Sequence, residues 1–248
     1  MSDWLRSEWL ATGCAAVLFA LTFLFGQRVH PLSVLTSDHR AIVSFGAGMA
    51  AAYVFVHVMP ELHTGRVVLA EAQPPGLRHD GMTVYLVALI GFMAFYGLEH
   101  LRARVRASRR PHSARSAYRL HVGAFAAYVA LVGYLLVRNL EDTPTSVALY
   151  TAAMAFHFLG VDHSLCEEHG ARYEKNGRYV LAASALAGWA IGQAAALPRP
   201  GVALLVAFLS GAVIVNSSLM ELPSGKDGRF VPFLVGGLLY GLILLPLG

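Results

Sequence analysis

The sequence predicts an all-α integral membrane protein, a bundle of eight transmembrane helices with both termini outside. Three observations carry that expectation. Hydrophobic residues make up 56% of the 248 positions and charged ones only 14%, and the mean hydropathy of +0.55 lies on the membrane side of the usual division. Apolar stretches long enough to cross a hydrocarbon core of ~30 Å recur along the whole chain. The basic residues are also distributed asymmetrically between alternate loops, which orients such a bundle.

The first stretch, residues 9–29, follows Arg6 and resembles a signal peptide in outline, but no small-residue cleavage site follows FLFGQRVHP, so it is read as a span. The second, 41–61, contains the small-residue run FGAGMAAA and ends in FVHVMPELH. His57 and Glu61 stand four apart on one helical face, and Pro60 removes a backbone donor between them, so the pair is a candidate cation-capturing dyad. The third, 82–101, ends in YGLEHL and places Glu99 and His100 near the inner surface.

Residues 102–119, RARVRASRRPHSARSAYR, hold seven arginines and no acid. They are expected to form a cytoplasmic loop that touches anionic lipid headgroups. Nucleic-acid binding is not expected, because aromatic interleaving is sparse and no recognition fold is present. Of the 19 Lys and Arg residues, Arg6, Arg66, Arg78, Arg138 and Arg199 fall on one face and the other fourteen on the opposite one. That bias puts both termini outside. The other loops are short, so residues 1–248 read as one integral membrane domain, and Cys14 and Cys166 offer no plausible disulfide.

The fourth span, 119–138, begins with His121. The fifth, 146–165, is the most informative, because SVALYTAAMAF runs directly into FHFLGVDHSLCEEH. His157 lies roughly 17 Å into such a helix, near the bilayer midplane. Asp162, Cys166 and His169 follow at i, i+4 and i+7 along one stripe, and His163 and Glu167 form a neighbouring i, i+4 pair. A carboxylate inserted at that depth costs about 2.5–3.5 kcal/mol, so something must offset it. Imidazole, carboxylate and thiol together suit Zn²⁺ or another first-row divalent ion better than Mg²⁺ or Ca²⁺. Glu168, Glu174 and Lys175 read as the solvated end of the helix.

The sixth span, 178–197, contains ALAGWAIG, and the eighth, 230–247, contains VGGLLYG. Small residues of this kind let helix backbones approach closely. The seventh, 201–222, ends in AVIVNSSLMELPSG, with Asn216 deep and Glu221 near the exit, both able to hydrate or ligate a moving ion. His57 and Glu61, His157, Asp162 and Asn216, then His163, Cys166, Glu167, His169 and Glu221 form a ladder of moderate sites, as conduction requires.

These features resemble the ZIP (Zrt/Irt-like) family of divalent metal transporters. The likeness rests on eight spans, the basic stretch between helices 3 and 4, the His57, Pro60 and Glu61 sequence ending helix 2, LAASALAGWAIGQ in helix 6 and NSSLMELPSG in helix 7. It implies a transporter of divalent transition metal ions, zinc first among them, in the plasma (inner) membrane, with the metal as substrate and no organic cofactor. Metal ions and membrane lipids are the implied partners, with a second copy of the chain a further candidate.

The family carries its transport site on helices 4 and 5. In HFLGVD, His157 and Asp162 occupy the first and last positions of the helix 5 motif, while Phe158, Gly160 and Val161 replace its acid, proline and second ligand. On helix 4, His121 remains but Val122 and Phe125 stand where polar ligands would be. A two-metal centre is therefore not implied. The expectation is a single site centred on His157, with Asp162 and His121 contributing, or one displaced inward onto DHSLCEEH. Two further readings stay open: a non-transporting metal sensor or structural membrane protein, and an intramembrane zinc hydrolase. The hydrolase is disfavoured because no histidine pair has i, i+4 spacing. Soluble-enzyme motifs are absent, and the chain is not expected to be an enzyme.

Overall fold

A computed structural model describes residues 2–26, 39–72, 81–108, 111–138, 144–216 and 229–245. Among these residues the structure is all-helical, without strands, and comprises eight helical rods. They are α1 (Ser2–Phe25), α2 (residues 39–71), α3 (Thr83–Ser108), α4 (Pro111–Arg138), α5 (Pro144–His169), α6 (Arg178–Ala194), α7 (Arg199–Asn216) and α8 (Phe230–Leu244).

Two rods contain a π turn. In α2 the turn Val54–Val58 joins His39–Tyr53 to Met59–Glu71, and the Met59 N–H donates to the Val54 carbonyl five residues back. Pro60 follows directly; it has no N–H, and its ring would press on the carbonyl four residues earlier, so a widened turn relieves the conflict. The second π turn, Tyr173–Gly177, leads into α6. α5 stops at Gly170, whose φ of 52° is a left-handed conformation and whose N–H donates to the Cys166 carbonyl at 2.8 Å.

The stretch 102–119, expected as a loop, is helical on both sides of residues 109–110. Arg and Ala are strong helix formers and Pro111 sits at the first helical position, so both helices run on into the charged segment.

Among the described residues, three helices are long and apolar enough to cross a membrane: Ser44–Glu71, Thr83–Val105 and Arg115–Arg138. Trp9–Phe25, Arg199–Val215 and Phe230–Leu244 are shorter apolar helices. Buried hydroxyls on α1, α5 and α7 are satisfied locally. Thr22 donates to the Leu18 carbonyl, Thr151 to Val147 and Ser210 to Val206, each one turn back.

The chain forms two compact units. The first comprises Met1–Gly26 and Ala94–Ala196. Its core is aromatic: Phe158 of α5 meets Phe19 and Phe23 of α1, each at 5.1 Å between ring centroids. Phe95 of α3 packs on Phe125 and Tyr128 of α4 at 5.8 and 5.6 Å. α4 and α6 approach closely through Gly133 and Gly188; a Cβ at Gly188 would run into the Ala130 carbonyl. The second unit comprises Gln27–Met93 and Leu197–Gly248. There Gly48 of α2 and Gly236 of α8 bring two backbones together, each facing a carbonyl of the other helix, Phe233 and Phe45 respectively. Leu62, Val84, Ala88 and Ala207 form its core between α2, α3 and α7.

Candidate metal centre

On α4, Tyr118, His121, Phe125, Tyr128 and Val132 follow helical spacing along one face. His121, Phe125, Tyr128 and Val132 are all buried, so the histidine is held on the same inward stripe as the aromatic core. On α5, Met154, Phe158, Val161 and Leu165 are buried in the same manner, and Glu168 continues their phase. The core-facing stripe of α5 therefore ends in a carboxylate whose side chain is only 11% exposed.

These stripes meet at one polar cluster. His121 Nδ1 lies 3.0 Å from His169 Nε2 and 3.5 Å from Glu168 Oε2, while His169 Nε2 and Glu168 Oε2 are 3.9 Å apart. His121, Glu168 and His169 are the one set of three metal-capable residues whose ligand atoms converge among the described residues. On the other side of the His121 ring, Nε2 faces Glu99 Oε1 of α3 at 3.4 Å. Aromatic rings frame the cluster: Phe125 packs on His121 at 5.1 Å and Tyr118 on His169 at 5.0 Å.

The three distances fit one ion. Atoms at those separations lie on a circle of ~2.0 Å radius, which matches the 2.0–2.2 Å that Zn–N and Zn–O bonds adopt. Ca²⁺, with bonds of about 2.3–2.6 Å and a preference for six to eight oxygens, fits such a set poorly. As carboxylates, Glu99 and Glu168 also bring two negative charges to a partly buried position beside the buried His121, which a divalent cation would balance.

The other sequence-selected residues have other surroundings. His157 is buried, with Nε2 3.0 Å from the Tyr128 hydroxyl. Asp162 is buried and accepts a 2.6 Å hydrogen bond from the Tyr173 hydroxyl at the second π turn. Cys166 donates to Glu174 Oε1 at 3.6 Å. Its thiol is pushed up from the usual range by burial, then by the Glu174 and Asp162 carboxylates. Burial and Asp162 likewise raise the Tyr173 phenol, which keeps it a donor. The stripe Asp162, Cys166 and His169 thus sends its members to three different partners. His163 and Glu167 form a pair at 3.7 Å on the exposed face of α5. His100 is exposed and stacks on Tyr96 at 6.5 Å between centroids.

In the second unit His57 and Glu61 stand 3.6 Å apart, with Tyr53 stacked on the imidazole at 5.1 Å. His57 lies within the π turn and Glu61 in the first turn of the helix that follows it, beside Pro60. Asn216 is the last residue of α7, and its side chain, like Ser217, Ser218 and Glu221, lies outside the described residues.

Glu168, expected at a solvated helix end, is instead a member of the cluster, and helical phase is the signal that finds it. Counting back from it by seven, ten and fourteen residues reaches Val161, Phe158 and Met154 without leaving the apolar face.

Compared with known proteins, the chain matches no family model, no curated protein and no solved structure. The likeness to ZIP transporters therefore rests on the sequence motifs alone.

Proposed function

We propose that this protein is an integral membrane protein that binds divalent transition metal ions, zinc first among them, and carries them across the plasma (inner) membrane. The observation that carries this reading is the convergence of His121 Nδ1, Glu168 Oε2 and His169 Nε2 within 3.0–3.9 Å of one another. Two imidazoles and a carboxylate are a donor set for first-row divalent ions. Length and apolarity of three helices support the membrane setting, and the ZIP-like motifs support transport over storage. Eight spans with both termini outside remain part of this proposal, together with the helix 5 route on which it relies.

A second reading, metal sensing without flux, has its own support. Tyr128 and Tyr173 satisfy His157 and Asp162, so the middle of α5 needs no passing ion to offset the burial of its polar groups.

Zinc flux into dye-loaded proteoliposomes, measured beside zinc affinity of the detergent-purified chain, separates the readings. The wild type is expected to bind and to conduct. His169→Ala should weaken binding by at least ~100-fold and abolish flux, while His157→Ala should leave affinity within about twofold. Binding without flux would favour sensing, and no binding by the wild type would remove both.

A further inference from the structure

The His121 ring has a carboxylate on each side, and the two are not equivalent. Nδ1 faces Glu168 and His169, whereas Nε2 is buried, faces Glu99 Oε1 at 3.4 Å and makes no hydrogen bond. The two nitrogens of an imidazole point away from each other, so an ion held at Nδ1 is out of reach of a carboxylate approaching Nε2. Glu99 accordingly falls outside the converging set.

We propose that Glu99 is the outer-sphere carboxylate of the metal centre: it accepts the Nε2–H of His121 and thereby holds the ring with Nδ1 aimed at the ion. This inference rests on the metal-binding reading above. A neutral imidazole carries one ring proton, and Nδ1 must offer a lone pair to the ion. The proton therefore sits on Nε2, where Glu99 is the facing acceptor. Metal-ligating histidines commonly donate their second N–H to a carboxylate, which fixes the tautomer and raises ligand basicity. Position supports the role. Glu99 sits one turn after Phe95 on α3, and Phe95 is locked between Phe125 and Tyr128 of α4. The aromatic layer that aligns α3 with α4 thus sets Glu99 against the outer face of His121. Glu99 is a positioning residue, and the ion would be held by α4 and α5 while α3 braces the ligand.

The test uses the full chain in detergent, with zinc affinity from chelator competition, metal content per chain and the visible spectrum of the Co²⁺-loaded protein. Glu99→Gln, isosteric and still able to accept a hydrogen bond, should bind one ion per chain with an unchanged Co²⁺ spectrum. Its affinity should fall towards the lower end of the ~10–100-fold range typical of outer-sphere partners, with Glu99→Ala at the upper end. Glu168→Gln, which alters a ligand, should change the Co²⁺ spectrum. Glu99→Ala binding as tightly as the wild type would overturn this proposal alone. A Co²⁺ spectrum altered by Glu99→Gln would overturn it by making Glu99 a ligand. A wild type that takes up no metal would remove the metal reading and this inference with it.

Discussion

Burial of a single acid shows how this chain offsets its polar content. Asp162 is 1% exposed, and the Tyr173 hydroxyl donates to it at 2.6 Å. A hydrogen bond to a charged group contributes about 1.5–3 kcal/mol, and a buried acceptor deprived of its donor costs a comparable amount. Tyr173→Phe is therefore expected to destabilise the chain by ~1–3 kcal/mol, read as a lower thermal midpoint in detergent. Asp162→Ala combined with Tyr173→Phe should lose less than the two single changes added together, because the partners share one interaction. Additive losses would mean that the two side chains act independently. Residue type was legible: the sequence marks His157 and Asp162 as polar groups in an apolar helix. Their partners were not, because Tyr128 and Tyr173 lie 29 and 11 residues away and no local pattern connects them.

At the scale of the helix, small residues mark where backbones meet. Gly188 of α6 faces the Ala130 carbonyl of α4 without room for a methyl group, whereas a methyl group at Gly123 on the same α4 would meet nothing within 4 Å. Gly188→Ala should force the helices apart and cost about 1–3 kcal/mol, the range for overpacking. Gly123→Ala should be neutral or stabilise by up to ~1 kcal/mol through helix propensity. Equal effects on the thermal midpoint would contradict the close approach of α4 and α6. The run ALAGWAIG announces such a seam in the sequence, but not which helix lies across it. Element ends are less legible than elements. Charge makes the arginine-rich stretch read as a loop, yet the helix propensity of Arg and Ala lets it continue α3 and begin α4.

For the whole molecule, apolar exposure is the governing fact. On α8, Phe230, Val231, Leu234, Leu238, Leu239 and Leu242 are all exposed, while Gly236, Tyr240 and Leu244 are buried. A chain with such faces and three membrane-length helices is expected to stay with the membrane fraction through an alkaline carbonate wash and to enter solution only with detergent. Release by the wash would contradict the membrane setting. By itself the sequence determined a helical chain with apolar segments of membrane length and the helices that carry imidazole and carboxylate, because periodicity, apolar run length and Pro or Gly punctuation are local properties. Only the tertiary structure decided which of those donors meet. Glu99, His121, Glu168 and His169 belong to three helices, and their convergence depends on the rotation of each about its own axis, which the packing of Phe95, Phe125, Tyr128 and Phe158 sets.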